Sequence, residues 1–97
     1  MLTSSEKRQL KAMANHLNAV FQVGKDGVNN NMIIDILNYL NKNELMKIKI
    51  LQNSTENSKD TMQFICTSLQ AEPVLTIGKV VIVYRRSNVK GVKHILD

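Results

Sequence analysis

The sequence predicts one α+β domain, in two layers, with helices packed on a mixed four-stranded sheet. Its 97 residues suit a single domain, and a content of 43% hydrophobic and 22% charged residues is typical of a globular protein. Apolar residues recur at helical spacing in three segments and at strand spacing in four. Read along the chain, these segments give the order α-β-α-β-α-β-β.

Three helices are predicted, each from an apolar stripe with spacing i, i+3, i+4 and i+7. The first runs from about Ser4 to Leu17, because Thr3 and Glu6 before it have the spacing of a capping box. The second runs from about residue 30 to 41, and any residue of the preceding Asn-rich run could be its N-cap. The third runs from about residue 58 to 69.

Four strands follow from short β-branched or alternating runs: Val20–Val23, Leu45–Leu51, Val74–Ile77 and Val80–Tyr84. A strand-helix-strand connection makes the first two strands parallel neighbours. The two-residue loop Gly78-Lys79 joins the last two as an antiparallel hairpin. Residues 85–97 have no periodicity, so we expect a basic C-terminal tail.

The charge balance of the chain favours an anionic partner. Lys and Arg number 13 against 8 Asp and Glu, a net charge of +5, which suits nucleic acid better than a membrane surface. The apolar runs are too short to span a bilayer, and the first residues lack the pattern of a signal peptide. The single cysteine fits a reducing, cytoplasmic setting and excludes a disulfide framework within the chain. Because the core takes nearly all the apolar residues, we expect no small-molecule substrate.

No catalytic or metal-binding constellation is evident. His16 and His94 have no Cys, Asp or Glu at catalytic or metal-ligand spacing. Cys66 falls on the apolar stripe of the third helix, which indicates an inert core thiol. We therefore expect no enzyme, no cofactor and no metal.

The loop Gly24-Lys25-Asp26-Gly27 lies between the first strand and the second helix. Its glycines allow positive φ and close backbone approach, the helix N-terminus is positive, and Lys25 adds a mobile charge. These features suit a phosphate cradle, like the GxxG loop of KH domains. A strand-to-helix turn that merely needs glycine geometry explains the pattern equally well. Asp26 opposes phosphate binding unless it points away or caps the helix.

Further candidate contacts to an anionic partner come from separate elements. Each also fits a solvated surface, and periodicity does not show whether they converge. The candidates are Lys7, Arg8 and Lys11 on the first helix, Lys47 and Lys49 on the second strand, Lys79 in the hairpin turn, and Arg85 and Arg86 after the last strand.

Aromatic residues are too few to provide many stacking platforms for single strands. We assign Phe21 and Phe64 to the core, and Tyr84 beside Arg85 is the best stacking candidate. If the partner is RNA, this composition favours recognition of a folded RNA through phosphates and shape.

Several short motifs in order resemble the CRM-domain family (chloroplast RNA splicing and ribosome maturation), specifically its bacterial single-domain YhbY-type members. The resemblance covers Leu2 to about Ser87. The motifs are Leu2-Thr3 with Lys7-Arg8, Ala14-Asn15-His16-Leu17, Val23-Gly24-Lys25-Asp26-Gly27-Val28, Glu44-Leu45-Met46-Lys47-Ile48-Lys49-Ile50, Ile77-Gly78-Lys79 and Val83-Tyr84-Arg85.

The resemblance implies a fold similar to the C-terminal domain of bacterial initiation factor 3, and RNA binding without catalysis. Bacterial members are associated with precursors of the large ribosomal subunit, and plant relatives with intron splicing. The family's GxxG loop maps onto Gly24, Lys25, Asp26 and Gly27, and its basic surface onto Lys7, Arg8, Lys47, Lys49 and Arg85. The chain departs from the family pattern at Asn18-Ala19 and Arg86, where proline is common, and at Gln70, where glycine is common.

The sequence thus predicts a monomeric module that binds ribosomal RNA, or a precursor of the large subunit, and assists assembly of that subunit. One alternative is an adaptor that docks on a ribosomal protein or an assembly factor. Another is a KH-like binder of single strands, which requires an exposed aromatic or aliphatic groove beside the glycine loop.

Overall fold

The computed structural model describes residues 2–25, 27–52 and 57–96. Its elements follow the predicted order: α1 (Ser4–Ala14), β1 (Phe21–Val23), α2 (Asn30–Asn43), β2 (Leu45–Ile50), α3 (Ser58–Leu69), β3 (Glu72–Ile77) and β4 (Val80–Tyr84). Among these residues, no helix is long and apolar enough to cross a membrane.

The four strands form one mixed sheet in the order β1-β2-β4-β3. β1 and β2 are parallel, whereas β4 is antiparallel to both β2 and β3. The α+β class, the element order and the mixed sheet are therefore confirmed. β3 carries a bulge between Pro73 and Leu75, which suits a proline on an edge strand.

The predicted two-layer arrangement is wrong, because helices cover both faces of the sheet. Met46, Ile48 and Ile50 of β2 pack in a first core with α2 and α3. Leu45 of the same strand points to the other face and packs in a second core with α1. β4 is apolar on both faces, and β2 adds Leu45 to the second face, so each face needs a helical cover.

Local signals set the helix ends. Thr3 and Glu6 form the predicted capping box, in which each backbone N–H donates to the other residue's side chain. Asn29 is the N-cap of α2. α1 ends at Ala14, three residues before the predicted end, and α2 extends to Asn43.

The C-terminal segment, residues 87–96, lies within the predicted basic tail at 85–97 and is attached to the fold. Leu96 is buried in the second core, and Ile95 packs against that core. The buried Glu44 accepts hydrogen bonds from this segment. The missed signal is Ile95-Leu96, an apolar pair too short to show periodicity.

Candidate nucleic-acid interface

One end of the sheet, the loop end, brings together the glycine loop, the β3–β4 turn and the N-termini of α2 and α3. Because β1 and β2 are parallel, Val23 and Ile50 pair where both strands finish. The N–H of Leu51 donates to Val23 O at 2.8 Å, and the N–H of Ile50 donates to Lys79 O at 2.7 Å. The Ser58 hydroxyl at the start of α3 donates to Gly78 O.

The two glycines of the loop have different structural needs. Gly27 has φ +70°, and its N–H donates to Gly24 O at 3.1 Å, so the turn itself requires a glycine here. A Cβ on Gly24 would lie 3.9 Å from Leu51 Cδ1, which is an ordinary contact. The conformation of the turn therefore explains why Gly27 is a glycine. The turn does not require a glycine at Gly24, where the missing side chain allows a ligand to approach the backbone closely. Asp26 lies outside the described residues.

The N-terminus of α2 follows the loop and keeps its positive character. The Asn29 side chain accepts the Met32 N–H at 2.9 Å, and the first turn contains no acidic residue. A helix of 14 residues has a full dipole, which favours a nearby anion. The exposed Lys25 adds its charge at the same place.

Lys47 and Lys49 of β2 point to the face of the sheet that α1 only partly covers. They alternate with Met46, Ile48 and Ile50, which point to the first core. The Lys49 side chain is exposed. Lys47 is half-buried, and its Nζ donates to Leu17 O at 3.1 Å, so it also holds the chain between α1 and β1.

The orientation of α1 turns two of its lysines toward this open face. Glu6 lies on the flank of α1 that lines a cleft with Leu96, and Met13 lines another with Ile95. At about 100° per residue, Lys7 and Lys11 lie on the flank opposite the C-terminal segment, toward Lys49. Arg8 is exposed and points farther outward.

The lysine face is our name for Lys7, Lys11, Lys47 and Lys49 on this side of the sheet, together with Lys25 and Lys79 at the loop end. Most described carboxylates lie elsewhere. Asp35 is on α2, which covers the opposite face, Glu44 is buried, and Glu6 and Glu72 line one cleft on the far flank of α1. Asp60, in the first turn of α3, lies near the loop end in a cleft with Val28. The segregation of the other carboxylates produces a positive surface potential that attracts polyanions.

Sequence reasoning missed Lys59, in the first turn of α3. It lines a cleft with Lys79, Ser58 and Gly78 at the loop end. A lysine in a first helical turn opposes the helix dipole, and that unfavourable placement was the available signal.

Arg85 and Arg86 lie at the other end of the sheet, away from the lysine face. Arg85 Nε donates to Leu69 O at 2.8 Å, and its Nη1 donates to Asn41 Oδ1 at 3.2 Å. These bonds tie together the C-terminal ends of α2 and α3. Arg86 Nη1 donates to Leu96 O at 3.5 Å. RNA contact by either arginine stays a prediction.

Two assignments of aromatic residues are wrong. Tyr84 is only 5% exposed, because its strand is apolar on both faces, so it offers no stacking platform. Phe64 is 48% exposed, because it lies beside rather than on the buried stripe of α3. Phe21 packs edge-to-face on Tyr39 at the rim of the first core, with 6.2 Å between ring centroids.

Phe64 lines a cleft of about 300 Å³ with Val28, Asp60 and Thr61. Since Val28 directly follows the glycine loop, this cleft lies where the KH-like alternative requires a groove. Cys66 is half-buried; desolvation, with the negative charge of Glu72, raises the pKa of its thiol to about 11. A thiol with so little thiolate at neutral pH is a poor nucleophile.

Fold and surface define a small α+β domain with one segregated cationic face. A model of the CRS1/YhbY (CRM) domain matches residues 2–85, and the chain belongs to this family. The resemblance that the motifs indicated is thereby confirmed.

Among its relatives is the probable RNA-binding protein YqeI of Bacillus subtilis, 41% identical over 90% of this chain and 91% of YqeI. An RNA-binding protein of Haemophilus influenzae is 34% identical over 89% of this chain and 87% of its own length. The solution structure of the hypothetical protein SAV1595 from Staphylococcus aureus has the same fold, with a TM-score of 0.77. It is 36% identical and covers 93% of this chain and 94% of its own.

Proposed function

We propose that this protein binds structured RNA through the lysine face and the glycine loop, and that it assists assembly of the large ribosomal subunit. The segregation of the lysines on one side of the molecule carries the proposal, because phosphate contacts dominate the affinity of proteins for nucleic acids. The names of the relatives support an RNA partner.

In this mechanism the loop and the α2 N-terminus hold one phosphate, while the sheet lysines contact the neighbouring backbone. Gly24 leaves room for a phosphate oxygen against the main chain, and Lys25 neutralises its charge. Lys49 and the lysines of α1 then fix the orientation of the RNA. No described aromatic ring lies on the lysine face, so base stacking has no part in this contact.

The substitution Lys25→Glu tests the cradle. We expect at least a tenfold loss of affinity for a large-subunit ribosomal RNA transcript, because the new carboxylate repels the phosphate that the lysine attracted. Lys42→Glu, the same charge change at an exposed position of α2, is the control. Equal affinities for the two variants would exclude the loop as the cradle.

Sedimentation tests the assembly role. We expect the protein to travel with particles of the large subunit on a sucrose gradient and to leave them at high salt. Migration only with the small subunit, or with neither subunit, would contradict a role in large-subunit assembly.

The adaptor alternative is favoured by Ile34 and Phe64, which are both exposed on the helices opposite the lysine face. Photocrosslinking from positions 25 and 47 separates the two functions. The RNA-binding proposal predicts adducts to RNA at both positions, whereas an adaptor would yield adducts to protein.

The cleft at Phe64 favours the KH-like alternative. Phe64→Ser would weaken binding of an unpaired oligonucleotide if bases entered this cleft. Our proposal predicts unchanged binding of a paired RNA hairpin.

A further inference from the structure

The C-terminal segment lies beyond residue 85, where the family match ends, yet it is tied to the centre of the fold. The anchor is Glu44, whose side chain has no exposed surface. Its carboxylate accepts the Ser87 N–H at 2.7 Å and the Ile95 N–H at 2.8 Å. Nδ1 of His94 lies 2.7 Å from Glu44 Oε2.

The backbone around Glu44 strengthens this attachment. Glu44 directly follows α2 with φ +66°, a backbone conformation that residues other than glycine rarely adopt. Its carbonyl oxygen accepts the Arg85 N–H at 2.8 Å, and the Ser87 hydroxyl donates to Asn41 O. A buried carboxylate needs such donors, since burial without them is costly. Both ends of the segment thus meet one buried charge.

The segment in turn supports α1. Leu96 is buried in the second core with Leu10 and Ala14, and Ile95 lines a small cleft with Met13 and Leu17. α1 packs on the sheet through its buried side chains Leu10 and Ala14, so its position depends on what flanks it. The C-terminal segment is one flank, and the lysine face is the other.

We propose that Glu44 is a positioning residue: through the C-terminal segment it sets where α1 lies on the sheet, and thereby how Lys7 and Lys11 stand relative to Lys49. The effect on affinity rests on the proposed RNA-binding function, whereas the effect on α1 does not.

The test is Glu44→Gln in the full chain, with two readouts. The glutamine keeps the length of the side chain but turns an NH₂ group toward N–H donors. We expect the Ser87 and Ile95 amides to lose protection from hydrogen exchange and the NMR signals of α1 to shift, while Val81 and Val83 in the sheet stay protected. Affinity for a large-subunit ribosomal RNA transcript should fall about fivefold.

Lys93→Gln is the matched control, because it removes an exposed charge from the same segment and leaves the contacts of Glu44 in place. It should leave the α1 signals unchanged. If Glu44→Gln fails to fold, His94→Gln replaces it as the test, because the side chain of His94 is 34% exposed. We expect the same shifts of the α1 signals and the same loss of affinity, but smaller.

Unchanged α1 signals and unchanged affinity in a folded Glu44→Gln or His94→Gln protein would overturn the proposal. Shifted α1 signals with unchanged affinity would also overturn it, leaving Glu44 a purely structural residue. If the wild-type protein fails to bind the transcript, the proposed function fails, and the α1 signals still decide the structural part.

Discussion

At the scale of single residues, two helix ends show the same backbone conformation for different reasons. Gln70 after α3 has φ +55°, and Glu44 after α2 has φ +66°. Gln70 is the left-handed C-cap residue of α3, a position that favours glycine, and its side chain is exposed. Glu44 is buried, and its carboxylate binds the C-terminal segment. The positive φ therefore lowers the stability of the protein at Gln70, whereas at Glu44 the fold requires it.

Substitution by glycine should separate these two positions. Gln70→Gly should raise the free energy of unfolding by about 0.5–1 kcal/mol, because glycine adopts positive φ without strain. Glu44→Gly removes the same strain but should lower the free energy of unfolding by about 2 kcal/mol or more, because buried N–H donors lose a charged acceptor. Urea unfolding measures both, and stabilisation by both changes would contradict the role given to Glu44.

Glu44 also predicts an acid dependence. Burial alone would raise the pKa of this carboxyl, but hydrogen bonds from Ser87, His94 and Ile95, together with the charge of His94, outweigh it and hold the pKa below its ordinary value. A carboxyl with a lowered pKa contributes stability above its unfolded pKa and loses it as the pH falls through the folded pKa. The stability difference between wild type and Glu44→Gln should therefore be full near pH 6 and shrink below about pH 4.5. A difference independent of pH would show that the carboxylate charge is not the cause.

At the scale of elements, regular patterns were predictable and the short irregular ones were not. The capping box at Thr3, the stripe of α3 and the β3–β4 hairpin have local causes, and their positions agree with the structure. The C-terminal segment has no period of its own. It is ordered by Glu44 and by the second core, and such long-range partners leave no pattern in the sequence.

The glycine loop gives a prediction at this scale. Gly24→Ala should fold with little change in stability, since the added Cβ makes an ordinary contact. Gly27→Ala should lower the free energy of unfolding by about 1 kcal/mol, because alanine at φ +70° is strained. If the RNA backbone approaches Gly24, the folded Gly24→Ala protein should bind a large-subunit ribosomal RNA transcript more weakly. Unchanged affinity would leave the loop as a turn only.

At the scale of the whole molecule, the sheet divides the domain into two unlike sides. α2 and α3 cover one side, where the exposed charges of Asp35 and Lys42 on α2 balance. Lys59 and Asp60 in the first turn of α3 balance each other at the loop end. The other side carries α1, the C-terminal segment and an open stretch with lysines. The net charge of +5 follows directly from the sequence, and most lysines of the lysine face were already candidates there. Which of them share a surface depends on which face each helix covers, and that is decided by packing against β2 and β4.

The central claim is that the lysine face binds RNA by displacing counterions from its phosphates. The most direct test measures the affinity of wild type, Lys49→Glu and Lys42→Glu for a labelled large-subunit ribosomal RNA transcript across a range of KCl concentrations. We predict that log K falls linearly with log salt for wild type, and that Lys49→Glu binds more weakly with a slope shallower by about one or more. Lys42→Glu, on the opposite side, should follow wild type. A flat salt response of the wild type, or equal losses for the two variants, would contradict the claim.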